Sequence, residues 1–245
     1  MSSPLRGHEL GTILGVWAHP DDETYLSGGL MAEAVRAGQT VACITATRGE
    51  AGSSDEVRWP TGPVLAAIRT AELDVALGEL GVSDHTWLDY PDGGCAAVDD
   101  EEAVARICAV MERVQPDSVL CFGPDGMTGH HDHRSTSRWA TEAVARTGRP
   151  SRTDRSGTRI YYATNTPEWL ARFRPGLDEL GAFMGTEPPC TPADELAIHG
   201  RYAGDLLDTK VRALTSQVSQ TELVVQHLGE TFLREGLAEE MFRLP

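Results

Sequence analysis

Lysine is almost absent from this chain: among 21 basic residues in 245, Lys210 is the only one. That scarcity removes the lysine of a phosphate-binding loop and leaves a single candidate for Schiff-base chemistry. No basic run occurs, and 37 acidic residues bring the formal charge to -16. Nucleic acid and anionic membranes are bound largely through Lys and Arg neutralising phosphates, so the composition argues against both as partners. Long apolar runs are missing too. Stretches such as Ile13 to Ala18 and Val41 to Ala46 are strand-sized, well short of the roughly 20 residues of a spanning helix. The first eight residues lack the basic-then-apolar profile of a signal peptide, which predicts a cytoplasmic protein. Cys43, Cys95, Cys108, Cys121 and Cys190 show no close pair spacing and read as reduced thiols, not as a disulfide or zinc framework. No G-x-S-x-G elbow is present, which argues against a Ser-His-Asp hydrolase.

What is present is an alternation of short apolar runs and longer amphipathic stretches, the pattern of an α/β protein with a parallel sheet covered by helices on both faces. Strands are predicted at Ile13 to Ala18, Val41 to Thr47, Thr86 to Asp89, Ser118 to Gly123 and Arg159 to Ala163. Helices are predicted at Ser27 to Ala37, Pro63 to Gly81, Glu102 to Val114, Thr136 to Arg146 and Asp205 to Gln220. Right-handed crossovers turn this into a doubly wound, Rossmann-like sheet of order 3-2-1-4-5. One domain is expected, with its core sheet over about 12–165 and a C-terminal extension over about 166–245 that decorates the sheet. Gly148 to Gly157 and Gly185 to Pro192 read as loops.

Two polar clusters follow particular strands. Ala18 to Glu23 reads A-H-P-D-D-E directly after the first strand, and Gly129 to Arg134 reads G-H-H-D-H-R after the fourth. In a doubly wound sheet, ligands bind beyond the carboxyl ends of the strands where the winding reverses, here between strands one and four. The two clusters should face each other across that crevice. Solvated polar loops would be the bland explanation for either cluster alone. Imidazole and carboxylate suit a divalent ion such as zinc, and a catalytic site uses three protein ligands and leaves a position for water. His19 and Asp22 can supply two ligands, with a third from His130, His131 or His133. Asp21 is the natural carboxylate to take a proton from water, and a second histidine of the other loop could donate to an oxyanion.

A-H-P-D-D-E together with the glycine-preceded H-x-D-H of His130 to His133 resembles the LmbE-like, PIG-L superfamily of zinc-dependent N-deacetylases. T-R-G-E at Thr47 to Glu50, R-T-A-E at Arg69 to Glu72, D-Y-P-D-G at Asp89 to Gly93, K-V-R-A-L at Lys210 to Leu214 and Ser219-Gln220 extend the resemblance over about residues 12 to 222. It implies one catalytic zinc held by His19, Asp22 and His133, with other divalent metals also compatible. It further implies Asp21 as general base and His130 as the histidine that stabilises the oxyanion or protonates the leaving amine. Arg69, Asp92 and Glu50 match positions that contact polar substrate groups, although an Arg69–Glu72 pair on one helix face and a turn-forming Asp92 would also explain those residues. The implied activity is removal of an N-acetyl group from an amino sugar or glycoconjugate, with a larger N-acyl group, a thiol conjugate or a non-catalytic metal-containing binding module as alternatives. The implied substrate is a small, polar, sugar-containing N-acyl compound. Three departures from the family pattern stand out. His131 replaces a proline and is expected to face solvent. Thr128 stands where members handling mycothiol precursors carry a tyrosine, and Gln217 replaces a histidine before the S-Q pair.

Overall fold

The computed structural model describes residues 4–53, 55–147 and 157–245. Seven strands form one sheet: β1 (Ile13–Trp17), β2 (Val41–Thr47), β3 (Asp84–Tyr90), β4 (Ser118–Phe122), β5 (Arg159–Ala163), β6 (Ile198–Arg201) and β7 (Glu239–Arg243). Their order is β3-β2-β1-β4-β5-β7-β6. The first five run parallel in the expected 3-2-1-4-5 order. β7 pairs antiparallel with β5 and with β6, so the C-terminal third widens the sheet. Every residue of β1, β2 and β4 is buried, which explains why these strands read as unbroken apolar runs. Burying side chains of the size of Ile13, Leu14 or Ile44 contributes roughly 1.5–3 kcal/mol each.

Among the described residues, seven helices cover the sheet: α1 (Asp22–Arg36), α2 (Pro63–Leu80), α3 (Asp100–Val114), α4 (His131–Thr147), α5 (Pro167–Glu179), α6 (Gly204–Thr215) and α7 (Val218–Gly236). α1 packs with α2 and α6, while α3 packs with α4. The connections after β1 and β4 lead to strands on opposite sides, so right-handed crossovers send α1 and α4 to opposite faces and open a crevice between the two strand ends.

Several predicted boundaries are corrected. α1 begins at Asp22 instead of Ser27, and α4 at His131 instead of Thr136. In both, the first turn lies inside a polar motif, where apolar periodicity gives no signal and acidic residues complement the helix N-terminus. α3 begins at Asp100 because the Asp99 side chain accepts the backbone N–H groups of Glu101 and Glu102. The helix expected over Asp205 to Gln220 is two helices. They part at Ser216 and Gln217, where the Gln217 side chain turns inward to donate to Glu23 Oε1 at 3.0 Å. The loop expected over Gly148 to Gly157 lies outside the described residues except for Gly157.

The single lysine has a structural task. Lys210 is fully buried, with Nζ 2.6 Å from Glu240 Oε1 and donating to Leu237 O at 3.1 Å. Glu240 also accepts the backbone N–H groups of Gly29 and Leu30, at 2.7 and 2.8 Å. The pair thus ties α6 and β7 to α1. Removing one partner of such a buried pair costs roughly 3–5 kcal/mol, because the other charge is stranded.

Candidate metal centre

The A-H-P-D-D-E segment makes a sharp turn from β1 into α1, and its geometry depends on Asp21. This residue has φ 103°, a region costly for a side chain other than glycine. Local bonds hold it there: its N–H donates to Glu23 Oε2 at 3.0 Å, and its carbonyl accepts from Thr24 and Tyr25. Arg69 reaches across from α2, donating through Nη2 to Pro20 O at 2.5 Å and Asp21 Oδ2 at 3.3 Å, and through Nη1 to Gly49 O at 2.9 Å. Gly49 itself has φ 67°, and a Cβ there would sit 2.2 Å from that guanidinium. Arg69 is only 4% exposed and therefore spends itself on the protein; Glu72, its expected helix-face partner, instead accepts from Ser219.

From the opposite side, the loop after β4 and the first turn of α4 bring in His130, Asp132 and His133. His133 stacks on Phe122 with ring centroids 4.0 Å apart, and its Nδ1 lies 2.9 Å from Gly126 O. Gly126 has φ 76°, and a Cβ on it would press on His133 Cβ and His130 O at 3.2 Å. His131 is exposed, as expected.

Hydrogen-bond partners assign the ring nitrogens. His133 Nδ1–H donates to the Gly126 carbonyl, which leaves Nε2 as a lone pair facing the crevice. His19 Nε2 lies 3.1 Å from Asp92 Oδ1 and 3.4 Å from Asp132 Oδ2, so its Nδ1 faces His133 Nε2 at 3.1 Å. Asp22 completes the group, with Oδ1 3.4 Å from His133 Nε2 and Oδ2 3.6 Å from His19 Nδ1. His130 differs: its Nδ1 accepts the Asp132 N–H at 3.1 Å, so Nε2 carries the proton of the neutral ring. The donor atoms of His19, His130 and His133 nevertheless lie within 4.8 Å of one another, as do those of His19, Asp92 and Asp132.

The residues fit a divalent ion. Donors around a four-coordinate zinc with bonds of about 2.0–2.1 Å lie about 3.3 Å apart, close to the 3.1–3.6 Å separations of His19, Asp22 and His133. Electrostatics favour a cation as well. Burial opposes charging His19, yet Asp132, Asp22 and Asp92 outweigh it and raise its pKa well above the usual histidine value. Burial pushes the Asp22 carboxyl up, but His133 and His19 hold it at about 2. Burial lowers His133 to about 4, which keeps its lone pair free at neutral pH. Burial, with His19 adding to it, also lowers His130.

The three positions expected to contact substrate share other work. Asp92 Oδ2 accepts the Ala51 N–H at 2.8 Å while its Oδ1 faces His19. Glu50 Oε1 accepts the Asp92 N–H at 2.9 Å, and its buried Oε2 has no partner. The sequence placed the Asp132 charge at the site without a role for it, and it did not single out Glu23. Asp132 accepts from Gly93 at 2.7 Å and Cys95 at 3.0 Å while also facing His19, and Glu23 holds Asp21. The H-x-D-H and A-H-P-D-D-E spacings contained both. Carboxylates that orient a ligand imidazole in this way are worth about 10–100-fold in metal affinity. Asp92→Asn is therefore expected to weaken zinc binding by about tenfold or more, read from competition with a chromophoric chelator; unchanged affinity would remove Asp92 from that task.

The PIG-L family model, described as GlcNAc-PI de-N-acetylase, matches residues 14–144. A 1D-myo-inositol 2-acetamido-2-deoxy-alpha-D-glucopyranoside deacetylase from Kineococcus radiotolerans is 39% identical over 148 residues, 49% of this chain and 41% of that protein. The chain spans about half the length of such curated relatives. A protein from Catenulispora acidiphila, named 1D-myo-inositol 2-acetamido-2-deoxy-alpha-D-glucopyranoside deacetylase 2, is 32% identical over 255 residues, 90% of this chain and 82% of its own. Among solved structures, the N,N'-diacetylchitobiose deacetylase from Pyrococcus horikoshii shares the fold with a TM-score of 0.69 and 22% identity, over 97% of this chain and 84% of that one.

Proposed function

This chain belongs to the PIG-L family, and from that premise we propose that it is a zinc-dependent hydrolase that removes the N-acetyl group of an amino sugar or glycoconjugate. The observation that carries the reading is the convergence of two imidazole nitrogens and the Asp22 carboxylate at 3.1–3.6 Å, with the Asp21 carboxylate next in the chain. His19, Asp22 and His133 hold the metal. A bound zinc there would polarise the amide carbonyl and bring the pKa of its water toward about 7.

The side chains do the remaining work. Asp21 takes the proton of the attacking water, and Arg69 fixes that carboxylate in place. His130 Nε2–H donates to the oxygen that gains charge as the carbonyl becomes tetrahedral, and the proton that Asp21 took from water passes to the leaving amine. Asp92 and Asp132 keep His19 turned with Nδ1 inward. Glu50 steadies Asp92 by accepting its backbone N–H through Oε1.

The named relatives act on an N-acetylglucosaminyl inositol, which supports an N-acetylated amino sugar as substrate class. Thr128, standing where some members that handle mycothiol precursors carry a tyrosine, weighs against a mycothiol-type assignment. The substrate is a small polar molecule; no described helix is long and apolar enough to cross a membrane. The test is amine release from a panel of N-acetyl amino sugars and their glycosides. At least one should yield free amine, with the rate falling by about a hundredfold or more after chelation and returning with zinc. Sugar binding without released acetate at saturating zinc would make the protein a binding module instead.

A further inference from the structure

The crevice has a second compartment that the sequence did not announce. A cavity of about 390 Å³ reaches Asp22 and His133 but not Asp21, Glu50, Arg69 or Asp92. Its walls come from Phe122 at the end of β4, Met127, Trp169 and Phe173 of α5, Phe183, and Phe232 of α7. The rings support one another, with Trp169 and Phe173 centroids 5.0 Å apart and Phe173 and Phe232 5.3 Å apart. Glu239, Glu240, Thr164 and Asn165 also line it, but they are committed to His199, Lys210, Thr191 and Pro189 O. Apart from Asp22 and His133, these walls ask for hydrocarbon.

Protein interiors seldom keep voids larger than a water molecule, so an apolar space of this size beside a reactive centre calls for an occupant. An apolar cavity of roughly 150 Å³ accommodates a benzene ring, so this one has room for an alkyl chain of about eight carbons. The methyl of an acetyl group would leave most of it unfilled. The cavity ends on the metal ligands Asp22 and His133, whereas Asp21, Glu50 and Asp92 lie outside its lining. An amide held at those ligands with its sugar amine toward the carboxylates sends its acyl chain into the apolar side.

We infer that the cavity is an acyl subsite, and that the enzyme also hydrolyses, and prefers, amino sugars carrying a linear medium-length N-acyl chain. The inference rests on the hydrolase reading of the same site. Water adds to the acyl carbonyl, the C–N bond breaks, and a fatty acid and a free amine leave, the proton from water passing to the amine. Each methylene transferred from water into such walls is worth up to about fourfold in kcat/KM.

The experiment compares N-acetyl-, N-butanoyl-, N-hexanoyl- and N-octanoylglucosamine by amine release, and octanoate with acetate by calorimetry on the zinc-loaded protein. We expect kcat/KM to climb by at least about a hundredfold from acetyl to octanoyl, and octanoate to bind far more tightly than acetate. Ala182→Trp, at a partly exposed position on the wall, should collapse the octanoyl-to-acetyl ratio. Phe232→Ala should move the optimum to a longer chain, and circular dichroism on both variants would establish that they fold. A flat or falling profile with turnover of the acetyl substrate would overturn the acyl subsite and leave the deacetylase reading standing. Octanoate binding that Ala182→Trp abolishes, without turnover of any substrate, would support the subsite and overturn the hydrolase reading.

Discussion

Asp21→Asn is expected to bind zinc like the wild type while losing roughly a hundred- to ten-thousand-fold in kcat, the usual share of a general base. Asparagine keeps the shape of the side chain and can still accept from Arg69 Nη2, so the contacts to α2 survive. It also tolerates the positive φ of 103° better than alanine would, which spares the turn that presents Asp22. What it loses is the ability to take a proton. In the metal-free protein burial pushes the Asp21 carboxyl up, Arg69 opposes, and Asp22 and Glu23 add to burial, leaving it at about 8. A divalent ion held beside it would lower it again, keeping the carboxylate ionised and able to take a proton near neutral pH. Metal analysis and amine release on the same preparation read the two halves of the expectation separately. Near-normal turnover with full zinc would move the base elsewhere in the crevice.

The parallel half of the fold was legible because β1, β2 and β4 are buried on both faces, and a two-sided burial writes itself as a continuous apolar run. β3 was read too short, as Thr86 to Asp89, because it is an edge strand whose residues are mostly half-exposed. The C-terminal third was harder for a different reason. β6 and β7 are short antiparallel strands, and the β7 segment Glu239–Arg243 carries charged residues at three of its five positions. One of those, Glu240, is buried only because Lys210 and two backbone N–H groups meet it, a partnership no periodicity reveals. α7 contains Gly229 at φ 83°, an interruption that blurs the helical pattern. β7 and α7 line the aromatic compartment together with α5, which explains why the sequence pointed to the polar side of the crevice and was silent about the other.

Within the site, the sequence could bring the two motifs together through topology, since strand order alone puts the ends of β1 and β4 side by side. It could not say which atoms of those motifs face inward. That depends on contacts such as Gly126 O with His133 Nδ1, or Asp92 and Asp132 with His19 Nε2, between residues far apart in the chain. Arg69 shows the limit most clearly. The family resemblance implied a substrate contact for it, yet its amines end on Pro20 O, Gly49 O and Asp21. In the proposed mechanism it acts through the carboxylate it holds.

The contrast between His133→Ala and His130→Ala separates metal ligand from proton donor. Both rings come from one short segment and both approach His19, with His130 and His133 centroids 4.7 and 5.1 Å from it. Distance alone therefore does not divide them; the hydrogen bonds to their Nδ1 atoms do. Gly126 O takes the proton of His133 and frees Nε2, whereas the Asp132 N–H occupies the lone pair of His130 and leaves a proton on Nε2. His133→Ala is expected to weaken zinc binding by more than about a hundredfold, one ligand's share of a typical zinc-binding free energy, and to reduce turnover to the uncatalysed level. His130→Ala should keep its zinc and its melting temperature and lose turnover by roughly ten- to a thousandfold, the range for one donor to a developing oxyanion. Zinc content after gel filtration, read alongside amine release, distinguishes the two. If His130→Ala lost the metal and His133→Ala retained it, the ligand set would be redrawn around His130 and the proton donor would have to be sought elsewhere.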